Sequence, residues 1–405
     1  MPRKTGRLCS GLLLGALFIA GGAGAATRPD NDYFIGPDAV ENLLGEVSPL
    51  ERFAAWRARL RKEQGLDFGL DYHLIGFTAS ASPGERRAAS GVARLFGQWT
   101  LVGRDGPDSG SLVFKVEHRH AFTKVSPVDF GGEIGYAGLV QSTFSDQKGR
   151  LTNLYWKQNL LGGRMVIFAG YLDVTDFVDV YLMASPWDGF GNLAFATGSA
   201  TIGSLPDGSL GVMAAGWLGE RVYLVAGIAD ANADPTDPAG GFDSLFHTGE
   251  TFKSVELGWT TERKRVFLDN LHLTLWQADA REAAGVSEGK GVALSLVRTF
   301  DERTMLFARG GWSDDGGSLL EAAVSLGFGR LLGGGRGVVG LGLNWGRPND
   351  EFYDNHRSQH TAELFCRLEE GPFQITPDLQ LIRNPADAPD RRQLVVFGLR
   401  LAVRF

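Results

Sequence analysis

Few residues in this sequence have the types and spacing that catalysis needs. Residues 285–289, Gly-Val-Ser-Glu-Gly, match the G-x-S-x-G pattern of serine hydrolases. That pattern makes its serine reactive only at a sharp turn from a strand into a helix. The residues on both sides of Ser287 alternate as strands do, so we interpret the pattern as a loop between two strands. We therefore expect a protein that is not an enzyme.

Metal binding is suggested at one position only. Asp230, Asn232 and Asp234 stand at the spacing that begins a calcium loop. In such a loop the sixth position needs glycine and the twelfth needs glutamate, whereas this sequence has Pro235 and Gly241 there. We interpret the stretch as a turn in an outer loop, with bound Ca²⁺ as the open alternative. The cysteines and histidines nowhere have zinc spacing, so no other metal is expected.

Most of the chain alternates between apolar residues and small or charged ones, the pattern of a strand with one apolar face. In residues 392–405, for example, Val395 and Phe397 share one face and Arg400 lies on the other. A soluble antiparallel sandwich alternates too, but these segments are about ten residues long, as tilted transmembrane strands are. Since the mean hydropathy of −0.07 excludes a bundle of membrane-spanning helices, we predict a transmembrane β-barrel.

The N-terminus predicts export. Residues 1–25 combine a basic start, a short apolar core and small residues at a cleavage site, so we interpret them as a signal peptide. Residues 26–65 form an N-terminal segment with a short periplasmic helix at 48–64, and residues 66–405 form the barrel. The exported chain keeps one cysteine, Cys366, and so has no internal disulfide.

Sixteen strand segments can be counted between residue 66 and the C-terminus. An even number is needed when both ends of a barrel chain lie on the same side of the membrane. Residues 133–144 could make a seventeenth strand, but an odd count would invert every later loop, so we assign them to a large outer loop. The predicted fold is an all-β, sixteen-stranded antiparallel transmembrane β-barrel in the outer membrane of a Gram-negative bacterium, with a short N-terminal helix.

The longest connection, residues 173–207, follows the fifth strand. A sixteen-stranded barrel is wide enough for an aqueous channel, and a loop of this length is usually functional. If it folded into the lumen, it would narrow the pore. Its carboxylates could accept hydrogen bonds from solute hydroxyl groups, or they could make the pore prefer cations and disfavour anions. The candidate binding residues of this loop are Asp173, Asp176, Asp179, Trp187 and Asp188.

Several stretches of the chain resemble a known protein family. They are LVAGIADANAD at 224–234, FKSVELGW at 252–259, LHLTLWQADAREAAGV at 271–286, LGLNWGRPND at 341–350, QHTAELFCRLEEGPFQITPDLQLIRNPADAPD at 359–390 and VVFGLRLAVRF at 395–405. Through them, most of residues 50–405 resembles the OprB-type carbohydrate-selective porins. The match is strong from Thr251 onward, looser over 78–150, and not traceable residue by residue in the aspartate-rich loop.

The resemblance implies passive diffusion of small sugars, including monosaccharides, through a water-filled barrel without a cofactor. A sugar has apolar C–H faces and hydroxyl edges, so selectivity needs aromatic rings beside hydrogen-bonding groups. Besides the loop residues, we expect substrate contacts from inward-facing strand residues, namely Tyr155, Trp276, Arg119 and Lys157. A general or ion-preferring porin, or a structural barrel without sugar selectivity, is the alternative interpretation.

The expected partners follow from the same interpretation. They are small sugars inside the barrel and outer-membrane lipid around it. In this family a terminal phenylalanine looks like the signal for the barrel-assembly machinery, so Phe405 is expected to contact that machinery. The formal net charge of −7 gives no reason to expect a nucleic acid.

Overall fold

A computed structural model describes residues 51–333, 336–354 and 357–405. The expected signal peptide, and the start of the N-terminal segment up to residue 50, lie outside the described residues. Helix α1, Glu51–Gln64, precedes the first strand, where the sequence predicts a helix. Among the described residues, no helix combines the length and apolar character needed to cross a membrane.

Sixteen antiparallel strands form one closed barrel, as the alternation predicts, and each strand pairs with its neighbours in the sequence. The strands are β1 Leu66–Ala79, β2 Arg87–Val102, β3 Gly110–Ala121, β4 Lys148–Leu160, β5 Met165–Asp173, β6 Asp207–Trp217, β7 Val222–Asp230, β8 Thr251–Thr260, β9 Asn270–Ala278, β10 Gly289–Phe300, β11 Thr304–Asp315, β12 Leu320–Leu331, β13 Gly337–Pro348, β14 Gln359–Glu370, β15 Phe373–Arg383 and β16 Gln393–Arg404.

The barrel closes between β1 and β16, with Asp71 opposite Arg404. Phe405 extends this seam beyond the last strand. Its backbone N–H donates to the Leu70 carbonyl at 2.8 Å, and its carbonyl accepts from the Leu70 N–H at 3.3 Å. The final residue therefore takes part in closing the sheet, which leaves no open edge among the sixteen strands.

The two faces of the wall differ in chemistry. Outward-facing positions such as Leu273, Leu326 and Phe397 are exposed and apolar, as a surface in contact with lipid requires. Large aromatic side chains concentrate near both rims of this outer face. At the rim that carries the short turns, here called the short-turn end, they are Trp99, Trp259, Phe300 and Phe373, and at the opposite rim they are Phe122, Trp312 and Trp345.

Most connections are short at one end of the barrel and longer at the other. At the short-turn end, Gly162 and Gly163 take positive φ angles of 66° and 81°, which glycine adopts without a steric cost. The long connections, at the opposite end, include residues 231–250. This asymmetry matches outer-membrane barrels, whose short turns face the periplasm.

Two of the long connections run back into the barrel. Residues 122–147, here called the first inward segment, contain helix α2, Phe130–Glu133, and form no strand, which confirms that 133–144 belong to a loop. Residues 174–206, here called the long inward loop, form short 3₁₀ turns. Both are largely buried, so the interior of the barrel is packed by loop as well as by wall side chains. A third short helix, α3, Gly240–Asp243, lies in the outer connection 231–250.

Candidate constriction site

The long inward loop is tied to the wall where it leaves β5. The Lys115 ammonium, on β3, donates to Asp173 at 3.3 Å and to Asp176 at 3.0 Å. Asn153, on β4, donates to the Asp176 carboxylate at 3.1 Å and accepts from the Asp173 backbone N–H at 2.7 Å. Both aspartates therefore fix the start of the loop to two strands of the wall.

Asp179 anchors the loop on the other side of the barrel. Its carboxylate accepts from Arg309, on β11, at 2.5 Å and lies 2.7 Å from His272, on β9. It also accepts from the Gly198 backbone N–H at 2.7 Å, so one side chain holds two parts of the loop. Burial alone would raise the pKa of the Asp179 carboxyl, but Arg309 and His272 outweigh it and hold that pKa below its ordinary value.

The far part of the loop is held by a carboxylate of the wall. Glu363, on β14, accepts from the backbone N–H groups of Gly191 at 2.6 Å and Asn192 at 3.0 Å. The Asn192 side chain donates to Gln380 at 2.9 Å and accepts from the Tyr136 hydroxyl at 3.0 Å. Because Tyr136 belongs to the first inward segment, this contact joins the two inward connections to each other.

Asp188 meets a group of arginines near the barrel seam. Arg367, on β14, lies 3.3 Å from its carboxylate, and Arg404 donates to the same oxygen. Arg400 donates to the Gly189 carbonyl at 3.0 Å. Burial alone would raise the pKa of the Asp188 carboxyl, but Arg404 and Arg367 together hold that pKa well below its ordinary value.

Trp187 lies at the point where the long inward loop, the first inward segment and the wall meet. The Arg94 guanidinium, on β2, stands 3.9 Å from the centre of its ring, and the ring centres of His73 and Phe144 lie 5.0 Å and 5.2 Å away. Arg94 is held in place by Asp71, to which it donates twice, at 2.9 Å and 2.5 Å. Only 4% of Trp187 is exposed.

Several polar atoms around residues 186–189 have no hydrogen-bond partner among the described residues. They are Oδ2 of Asp188, Oε1 of Gln374, Nε of Arg400 and Nδ1 of His73. Gln374 and Arg400 both contact the backbone of this stretch, through the Trp187 and Gly189 carbonyls. Buried polar atoms are rarely left unpaired in proteins, so this cluster can accept and donate hydrogen bonds to a polar solute or to water.

The other candidate residues lie inside the barrel, but they pack against protein. The Tyr155 ring meets Phe168 and Phe177 at 5.7 Å and 6.0 Å. Trp276 stacks on Phe252 at 6.3 Å. Arg119 donates to Glu117 at 2.8 Å, and Lys157 is fully buried. All four are buried on the inward face, as the alternation predicts.

The first three aspartates of the candidate set are paired with cations of the wall. Asp173 and Asp176 are paired with Lys115, and Asp179 with Arg309. Asp173 and Asp176 share one ammonium, so pairing reduces their charge without cancelling it, and the repulsion of anions stays a prediction. In this structure the aspartates fix the path of the long inward loop.

Four residues in or beside the surroundings of Trp187 were not among the sequence candidates. Asp71 and His73 of β1 and Arg94 of β2 stand on the face opposite Leu70 and Leu95, so alternation alone would have placed them in the lumen. No sequence signal indicated Phe144, because its position depends on the path of the first inward segment.

The carboxylates of the calcium alternative make hydrogen bonds within their own connection. Asp230 accepts from the Asn232 backbone N–H at 3.1 Å and from the Ser244 hydroxyl at 2.8 Å, and Asp234 accepts from the Thr236 backbone N–H at 2.8 Å. Within residues 51–333, 336–354 and 357–405, no group of three histidine, cysteine, aspartate or glutamate side chains could hold a metal ion. Hydrogen bonds of this kind are those of an ordinary turn.

Comparison with known proteins gives one family and several similar folds. The family described as "Carbohydrate-selective porin, OprB family" matches residues 121–285 and 296–405. Among solved structures, the high-pH structure of Pseudomonas putida OprB is 16% identical, with a TM-score of 0.71 over 89% of this chain and 99% of that one. A mutant of the Rh. blastica porin is 12% identical, with a TM-score of 0.53 over 84% of this chain and 100% of that one. These structures share the fold. The comparison with curated proteins finds no match.

Proposed function

The chain belongs to the OprB family of carbohydrate-selective porins, and from this premise we propose that the sugars which diffuse passively through its barrel pass the Trp187 cluster at the narrowest point. The cluster is defined as Asp71, His73, Arg94, Trp187 and Asp188, with Gln374 and Arg400 beside it. A porin of this family is a channel of the outer membrane of Gram-negative bacteria, and it moves its solute without a chemical step.

The observation that carries the proposal is the meeting of an aromatic ring with unpartnered polar atoms. Trp187 offers an apolar surface for the C–H face of a sugar, while Asp188, Gln374 and Arg400 offer acceptors and a donor for its hydroxyl groups. Because so little of Trp187 is exposed, a sugar contacts its edge in single file and does not stack freely on the ring. Binding at such a site is weak, since a conducting site must also release its solute.

The outward face supports a second part of the proposal. Its exposed leucines and its two aromatic rims fit the hydrocarbon core and the two interfaces of a lipid bilayer. Outer-membrane lipid is therefore the proposed surrounding of the barrel, and the segment 1–25 is the proposed export signal. No group in the interior is proposed to catalyse a reaction.

Single-channel recording in a planar bilayer tests the proposal. Adding neutral monosaccharides should produce reversible, concentration-dependent block of the ionic current. In Trp187→Ala, the block by sugar should weaken several-fold, while the small-ion conductance stays the same or rises because a large side chain has been removed. The matched control is Trp312→Ala, which removes a tryptophan from the outward face and should leave the sugar block unchanged.

Two outcomes would contradict the proposal. If the wild-type protein conducts ions but shows no sugar-dependent block, the chain is a general or ion-preferring porin. If the block is present and equal in Trp187→Ala and Trp312→Ala, sugars are selected elsewhere in the lumen. Liposome swelling does not depend on block of the ionic current. Swelling with a neutral monosaccharide, a disaccharide and a trisaccharide would then show the size limit of the pore.

A further inference from the structure

Helix α1 packs on the outside of the barrel, at its short-turn end. The Phe68 ring, which points outward from β1, meets Trp56 at 5.7 Å and Phe53 at 6.2 Å between ring centres, both edge to face. Arg57 stands 5.4 Å from the same ring and 3.7 Å from Asp67. The aromatic face of α1 therefore continues the lipid-facing surface of the wall.

Two further contacts join the end of the helix to the same rim. The indole N–H of Trp99, which is exposed on the outward face of β2, donates to the Gln64 carbonyl at 3.1 Å. Arg104, in the turn between β2 and β3, donates to the Glu63 carbonyl at 3.2 Å. These bonds satisfy carbonyls that a helix end leaves without intrahelical partners, and they keep α1 against the wall at the level of the aromatic rim.

The rest of the helix surface is exposed and carries three basic residues. Trp56 is 44% exposed although it packs on Phe68. Arg59, Arg61 and Lys62 are exposed on the remaining surface, and Arg61 has an acidic partner within reach, Asp67 at 3.6 Å. A helix with aromatic residues on one side and cations on the others is typical of segments that lie in a membrane surface.

We propose that α1 lies on the inner-leaflet surface of the outer membrane and binds the headgroups of anionic phospholipids. Trp56 and Phe53 enter the interfacial layer beside Phe68 and Trp99, since aromatic side chains with a polar edge favour that layer. Arg59 and Lys62 lie within reach of lipid phosphates, and an anionic membrane surface attracts basic residues that lie close to it. The helix thereby fixes the depth of β1, the strand that closes the barrel.

Depth-dependent quenching tests the proposal in the full chain. The single mature cysteine is replaced by Cys366→Ser, and an environment-sensitive fluorophore is attached at Glu63→Cys, which lies on the same side of the helix as Trp56. The matched control carries the fluorophore at Glu220→Cys, in the short turn between β6 and β7 at the same end, where the side chain is 91% exposed. Both proteins are reconstituted in vesicles that contain lipid brominated near the headgroup.

The fluorophore at position 63 should be quenched several-fold more than that at position 220. Raising the fraction of phosphatidylglycerol at constant bromolipid should increase the difference, and the double variant Arg59→Gln, Lys62→Gln should remove this increase. Migration of the unheated protein in gel electrophoresis verifies that every variant is a folded barrel. Equal quenching at both positions would show that α1 projects into the periplasm. Quenching at position 63 that does not change with the fraction of phosphatidylglycerol would overturn the role of anionic headgroups.

Discussion

Asp179 is the residue whose loss should release the long inward loop most directly. It is 1% exposed and bonds Arg309, His272 and the Gly198 backbone N–H at once. Removing one partner of a buried ion pair leaves the other charge uncompensated, at a cost of about 3–5 kcal/mol. Asp179→Asn should therefore loosen the loop without opening the barrel.

Single-channel current measures this effect. In Asp179→Asn the open-channel noise should rise and the mean conductance should increase, because the loop leaves its buried position part of the time. The matched control is Asp105→Asn, an exposed aspartate in the turn 103–109, which should behave as wild type. A quiet current of wild-type size in Asp179→Asn would contradict the assigned role.

Asp188 makes the same loop sensitive to acid. Its pKa in the folded protein lies well below the ordinary value of about 3.9 because Arg404 and Arg367 flank it. A carboxyl with a lowered pKa stabilises the fold above its unfolded-state pKa, and this contribution is lost as the pH falls toward the folded-state value. Channel noise should therefore stay constant from pH 8 to about pH 5 and rise below about pH 4.

The same recordings on Asp188→Asn test the assignment of the acid response. The variant should be noisier at neutral pH and should respond less to acid than wild type, although Asp179, whose pKa is also lowered, contributes a part of the response. If noise instead increased as the pH rose above 6, the responsible group would have a raised pKa and could not be either of these aspartates.

At the scale of elements, the long inward loop should determine the pore size. It places Phe190 and Phe195, packed 4.9 Å apart between ring centres, inside the barrel, where only water would otherwise lie. Replacing residues 182–195 by a short glycine–serine linker should raise the single-channel conductance several-fold. The matched control makes the same replacement at residues 239–248, in the outer connection between β7 and β8, and should leave the conductance unchanged.

The first inward segment should act as a second, partly independent restriction. It packs Phe130 and Phe144 against the β1–β16 region and Trp187, and it joins the long inward loop through Tyr136 and Asn192. If the linker variant of the long loop conducts as wild type does, the constriction lies in this first segment. In that case, shortening residues 126–144 should produce the increase.

At the scale of the whole molecule, assembly depends on closing β16 against β1. Phe405 pairs with Leu70 through both of its backbone groups, and we propose that its side chain is also the group read by the barrel-assembly machinery. Deleting Phe405 should lower the amount of folded barrel in the outer membrane, measured by heat-modifiable gel mobility. Phe373→Ala, which truncates an exposed aromatic residue at the same rim, is the control.

The yield of Phe405-deleted protein in cells and its refolding yield in detergent distinguish a signal to the machinery from the backbone pairing with Leu70. If deletion of Phe405 lowers the yield in cells but not the yield of refolding in detergent, the residue acts through the machinery. If both yields fall, the loss of the two backbone hydrogen bonds to Leu70 is sufficient to explain the defect. An unchanged yield in cells would contradict both roles.

The sequence by itself determined the wall of this protein. A period of two across segments such as Gln393–Arg404 specifies which residue faces lipid, because a shift of one residue would turn every leucine inward and every charge outward. The same alternation is sufficient to place Glu363, Arg309 and Arg400 inside the barrel. Loop parity assigned residues 133–144 to a connection, because an odd number of strands would invert every later loop.

Only the tertiary structure decided what the interior does. Asp188 meets Arg367 and Arg404 across some two hundred positions of the chain, and Trp187 meets Arg94 from a different strand. Such pairs leave no periodic pattern in the sequence, because they depend on where an irregular loop crosses the lumen. The sequence could therefore identify the aspartates of residues 173–207 as candidates but not their partners. The partners make four of them, Asp173, Asp176, Asp179 and Asp188, anchors of the loop.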